Sequence, residues 1–122
     1  MGWNLDDSRP IWPQLKGQLM RDIVAGKYAM GGEFPTVREL AEEAGVNRNT
    51  MQRALSELEN EGLVNTNRTV GRTVTTDETL IAGIKAAIAE ENVEKFMHEM
   101  ALIGYSTDEI IEIIKNKEVE YK

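Results

Sequence analysis

Cysteine is absent from this sequence, and histidine occurs once, as His98. The first absence removes disulfides, thiolate metal sites and thiol redox sensing. The second leaves no imidazole partner for a metal or for a nucleophile, so His98 reads as an ordinary helix residue. No run of about 18 apolar residues occurs, and no membrane span is expected. The opening stretch MGWNLDDSRP lacks the basic-then-apolar order of a secretion signal. We therefore expect a cytoplasmic chain, in which the sequon Asn67-Arg68-Thr69 is chance. Neither a carboxylate pair nor a Gly-rich phosphate loop stands at a usable spacing, so an enzyme and a bound cofactor are not expected. Repeats and low-complexity tracts are missing too. What remains, at 122 residues and 41% hydrophobic content, suits one modest core of the kind that often gains stability by association.

Charge is unevenly placed. The formal net charge is −7. Residues 1–75 hold nine Lys and Arg against ten Asp and Glu, and residues 76–122 hold five against eleven. Seven of the nine cations in the first part are arginine. An acidic chain of this kind does not coat DNA indiscriminately, but a local basic face within it can still read a site.

Apolar spacing and cap residues divide the chain. Pro10 followed by Trp12, Leu15, Leu19 and Ile23, with Gly26 as a stop, predicts a helix over 10–25. The stretch GKYAMGGEFP reads as a loop. Thr36 and Glu39 form a capping box for a short helix that Gly45 ends. Asn47 caps a third helix with Met51, Ala54, Leu55 and Leu58 on its apolar side. Residues 63–76, LVNTNRTVGRTVTT, read as a β-hairpin. A long helix over 77–103 follows, and the five-residue step from Ile88 to Val93 marks either a bend or a wide apolar face. Gly104 ends it, and a second capping box, Ser106 with Glu109, opens the last helix.

Two helices joined by a tight Gly turn and followed by a hairpin are the parts of a winged helix–turn–helix, whose second helix enters the major groove. The third helix carries Arg48, Asn49, Gln52 and Arg53 on its polar side. Arginine bonds guanine, and asparagine or glutamine bonds adenine, through paired contacts. Thr50 and the N–H groups at the helix start suit phosphate oxygens. The wing tip, Arg68 to Arg72, offers arginines to the backbone or the minor groove. Singly, each of these residues would be an ordinary solvated position. Together with turn, cap and hairpin they favour DNA readout over the competing reading, a winged module that docks to protein; steep salt dependence separates the two.

These residues also carry a family likeness. Pro10 to Leu15, Gly26, Phe34 to Ala41, Val46 to Met51, Ala54-Leu55, Leu58, Gly62 and Gly71 match, in order and spacing, the GntR family of bacterial transcription regulators, which the chain resembles over about residues 9–75. Phe96 to Met100, Leu102 to Ser106 and Glu109 to Ile111 resemble the YtrA-like subgroup more weakly. The resemblance implies a dimeric repressor with a palindromic operator. It further implies that Arg38 contacts the groove or its edge, that Arg48, Asn49 and Thr50 open the recognition helix, and that Gly71 lets the wing approach the minor groove. Three positions depart from the family pattern. Thr36 replaces the usual serine and keeps the cap. Gln52 replaces a common arginine, which bears on base preference. Thr69 replaces a common first glycine, which bears on the shape of the tip.

The expected architecture is mainly α with one small hairpin: a winged helix–turn–helix over 1–76 and a helical dimerisation segment over 77–122. Four isoleucines within Ile110–Ile114 cover more than one helix face. With Leu80, Ile84, Ile88, Phe96 and Met100, the residues Ile110, Ile113 and Ile114 are the expected two-fold contact. The competing reading is a monomer whose tail is an internal packing cap. Phe96, Met97 and Met100 could instead line a pocket for a small-molecule effector, although such a stripe at helical spacing is more often core. Trp3 and Trp12 read as packing residues, with Trp3 also placed to cover a ligand or a partner. The expected partners are thus double-stranded DNA, a second copy of the chain and, undetermined by sequence, an effector.

Overall fold

A computed structural model describes residues 3–118, which divide after Lys85 into two compact units. The elements run α1 (Ile11–Val24), α2 (Val37–Ala44), α3 (Arg48–Asn60), β1 (Val64–Asn67), β2 (Gly71–Val74), α4 (Glu78–Leu102) and α5 (Thr107–Glu118).

Each short helix starts where its cap is. Thr36 accepts from the Glu39 N–H at 3.1 Å while Glu39 Oε1 accepts from the Thr36 N–H at 3.1 Å, closing the box that opens α2. Gly45 ends α2 with φ +70°, a left-handed conformation that costs a Cβ-bearing residue roughly 1–2 kcal/mol. The Val46 N–H then bonds back to the Ala41 carbonyl at 3.0 Å. The turn between α2 and α3 is therefore fixed by the backbone itself. Asn47 caps α3 through a 2.7 Å bond from the Asn49 N–H.

The core of the first unit gathers Leu15, Leu19 and Ile23 from α1, Leu40 and Ala41 from α2, and Met51, Ala54, Leu55 and Leu58 from α3, closed below by Phe34, Leu63, Val64 and Val74. The strands pair antiparallel with Val64 opposite Val74 and Asn67 opposite Gly71. The loop expected over 26–35 contributes to this sheet. Glu33 bridges Thr73, the Phe34 N–H donates to the Arg72 carbonyl at 2.8 Å, and Gly31 and Gly32 bond both backbone groups of Val74. The outer edge of β2 is thereby covered, which is how small sheets avoid edge-to-edge association.

The Asp77 side chain accepts from the Leu80 N–H at 3.0 Å and starts α4. That helix is unbroken across Ile88 to Val93, so the five-residue step does not interrupt it. Its first turns hold Leu80, Ile81 and Ile84, which pack part-buried on the core of the first unit. In the second unit, Ser106 and Glu109 form the second capping box at 2.9 and 3.2 Å, ahead of α5. Among the described residues, no helix is long and apolar enough to cross a membrane.

Candidate nucleic-acid interface

At about 100° per residue, Arg48, Asn49, Gln52, Arg53 and Ser56 fan across roughly 140° of α3. The buried stripe of Met51, Ala54, Leu55 and Leu58 occupies the opposite side. The core thus fixes the azimuth of the polar arc. Arg48, Asn49, Gln52 and Arg53 are exposed, and Thr50 is half-buried at the margin. Gln52 Nε2 donates to Ser56 Oγ at 3.1 Å, which leaves its carbonyl oxygen and second N–H facing outward.

The arginines differ in how they are held. Arg38 forms an exposed ion pair with Glu42 at 3.4 Å, and Arg72 pairs with Glu59 at 2.9 Å. Among the described residues, Arg48, Arg53 and Arg68 make no ion pair. Arg53 instead lies over the Trp12 ring, its guanidinium carbon 4.4 Å from the centroid. Three cations without a carboxylate partner stand at the start of α3, one turn further along it, and at the wing tip.

The wing is shaped by Asn67, whose Oδ1 accepts from the Thr69 N–H at 2.8 Å, and by Gly71 at φ +85°. A Cβ on Gly71 would meet nothing within 4 Å, so the backbone angle alone requires glycine there. Arg68 is exposed at the tip. Val70, Gly71 and Arg72 face Thr36, Val37 and Arg38 across a cleft of about 330 Å³, which sets Arg38 beside the wing. Arg72, expected to point toward a duplex, is turned inward: its side chain is only 19% exposed and its Nε donates to Glu59 Oε1. Thr66 Oγ1 donates to the same oxygen at 2.7 Å. Glu59 therefore ties both wing strands to α3, and these hydrogen bonds, from Thr66 first and then Arg72, hold its carboxyl below the ordinary range despite partial burial.

Two contributors escape a reading by spacing. Glu59 and Arg72 are 13 residues apart, and Trp12 and Arg53 are 41 apart, so only the folded chain brings either pair together. The expected self-association residues divide in a similar way. Leu80 and Ile84 lie on the core of the first unit, Ile88 and Met100 are half-buried, and Ile110 is 2% exposed. Phe96, Ile113 and Ile114 remain open.

Residues 13–74 match the family described as bacterial regulatory proteins, gntR family. This chain belongs to the GntR family. Among its relatives in Bacillus subtilis, the uncharacterized HTH-type regulator YhcF is 33% identical over 108 residues, 88% of this chain and 89% of that protein. The HTH-type repressor YtrA is 30% identical over 117 residues, 94% and 89% of the two chains. A GntR family regulator from Listeria monocytogenes shares the fold over 92% of this chain and 98% of its own, with a TM-score of 0.83 and 37% identity. The DNA-binding domain of AraR, solved in complex with operator ORX1, matches 62% of this chain and 92% of that domain at TM-score 0.51 and 26% identity. The GntR chain is accordingly a DNA-binding transcriptional regulator of YtrA-like length, and its function is not enzymatic.

Proposed function

We propose that this GntR regulator acts in the cytoplasm as a homodimeric repressor, reading a two-fold operator through α3 and the wing. The observation that carries the readout is the arc Arg48, Asn49, Gln52, Arg53: forked donors and amide groups held outward at the start of a helix whose other side is locked in the core. Arg48 and Asn49 meet base edges, Thr50 and Arg53 meet phosphates, and Arg68 follows the backbone from the wing. Arg38 stands at the groove edge, where its exposed pair with Glu42 exchanges readily for phosphate at little cost.

Self-association is supported by apolar surface. Leu102 is 73% exposed, Ile103 69% and Ile114 54%, with Val93, Phe96, Ile111 and Ile113 also open, all within residues 93–114. So much clustered apolar surface marks an interaction site. A second copy is the natural occupant, because a two-fold dimer sets its two recognition helices about one helical turn apart. The dimerisation boundary on this reading falls within α4.

The test is selection from random double-stranded oligonucleotides, followed by anisotropy titration of the winning site at several salt concentrations. We expect a symmetric site with half-sites spaced by about one turn, binding that weakens steeply with salt, and loss of specific binding in Arg48→Ala with fold and assembly intact. Unchanged operator affinity in that variant would remove α3 from the reading.

A further inference from the structure

Arg53 has a carboxylate within helical reach. Glu57 lies four residues on, the spacing at which opposite charges pair across one turn. Yet Arg53 makes no ion pair or hydrogen bond among the described residues, and its guanidinium sits 4.4 Å from the centroid of Trp12 on α1. Trp12 is half-buried at the start of α1, a helix whose Leu15 and Leu19 lie in the core with the α3 stripe, so the backbone that carries the ring is fixed while Arg53 stays exposed. The two kinds of partner have different consequences. A carboxylate occupies guanidinium N–H groups and must be displaced before phosphate binds. An aromatic face attracts the cation through its quadrupole and takes none of the five donors.

We infer that Trp12 is a positioning residue for DNA binding: it draws the Arg53 guanidinium away from Glu57 and holds it ordered, with its donors free, for a backbone phosphate. Arg53 lies at the edge of the α3 arc beside Trp12 of α1, about 140° around the helix from Arg48, which suits a strand contact more than a base contact. Part of the side-chain entropy that binding would cost has already been given up in the free protein. This inference rests on the operator-reading role of α3 proposed above.

The experiment is a double-mutant cycle on the full chain, read by operator affinity and by its salt slope. Arg53→Ala should weaken binding and reduce the slope by about one released ion. Trp12→Leu, which keeps apolar bulk without the ring face, should cost roughly three- to tenfold in affinity. Trp12→Phe should recover most of that loss. In an Arg53→Ala background, Trp12→Leu should change affinity less than about twofold, because its effect runs through the missing guanidinium. The preferred sequence should be the same in every variant. Equal losses from Trp12→Leu with and without Arg53, or no loss from Arg53→Ala, would overturn the inference. Arg48→Ala in the same assay keeps the two levels apart: if it too is without effect, the reading of α3 fails, and if it alone abolishes binding, only the role of Trp12 falls. Thermal melts of each variant exclude misfolding as the cause, and a Trp12→Leu protein that melts well below the parent while Trp12→Phe binds no better would count against a positioning role.

Discussion

Replacing Glu59 by alanine removes a single oxygen that holds two strands. Glu59 Oε1 receives the Thr66 hydroxyl at 2.7 Å and the Arg72 Nε–H at 2.9 Å, so both halves of the wing lose their tie to α3 at once. A hydrogen bond to a charged partner contributes about 1.5–3 kcal/mol when sheltered, and an exposed ion pair about 0–1 kcal/mol. Glu59 is 32% exposed and Arg72 19%, which places the pair between these limits; solvent screening brings the expected loss to about 1–2 kcal/mol. For a unit of this size that corresponds to a melting shift of about 5–12 °C. The pH dependence gives the sharper check. Because the carboxyl is held below its ordinary value of 4.5, its contribution is fully present above the unfolded-state value and is lost as pH falls through the folded one. The gap in Tm between parent and Glu59→Ala should thus be widest near neutrality and close as pH falls below the ordinary value of 4.5 and through the lower folded-state one. Circular dichroism melts of both proteins across that range measure it. A gap of constant size at every pH would show that the charge of Glu59 is immaterial, and no gap at neutral pH would show that the wing is held by its backbone ladder alone.

Other expectations follow from burial and exposure. Leu55 is fully buried where α3 meets the core, and Leu55→Ala should lower unfolding free energy by about 2–5 kcal/mol in a denaturant titration; a midpoint like the parent's would mean that the α3 stripe is not the anchor described. Ile114→Glu alters a residue that is 54% exposed in the single chain, so it should leave helix content unchanged while converting dimer to monomer in sedimentation velocity and weakening operator binding. A variant that remains dimeric would move the interface away from this face.

Much of this architecture is legible because its signals are local. Both capping boxes lie within four residues of the helix starts they set, Thr36 with Glu39 and Ser106 with Glu109. The α3 stripe is pure helical spacing, and so is the polar arc opposite it. What escapes is tertiary. The stretch 31–34 carries turn residues and reads as loop, yet its backbone groups are taken up by Arg72, Thr73 and Val74, a pairing that no local preference encodes. Arg72 looks like a wing cation until Glu59 is seen beneath it. Leu80 and Ile84 carry the same apolar signal as Phe96 and Ile114, and only packing separates those on the winged-helix core from those left open. Spacing tells that a face is apolar; it does not tell what covers it.

The charge distribution has its own consequence for recognition. At a net charge of −7 with most of the excess acid in residues 76–122, this regulator is repelled by DNA at long range. Within the winged unit, Glu59 holds Arg72 inward and Glu42 offsets the charge of Arg38 until phosphate displaces it, which leaves few open cations to hold an arbitrary duplex. Affinity for random sequence must therefore be low, and binding depends on short-range fit, where a base-edge contact adds to phosphate contacts already in register. Salt acts on this balance in two directions. It competes for the phosphates, and it also screens the repulsion once the Debye length falls to about 10 Å near 0.1 M. The slope of log affinity against log salt should accordingly be shallow at low ionic strength and steepen above it. A basic winged helix with the same contacts would lack that curvature, because its long-range and short-range terms share one sign.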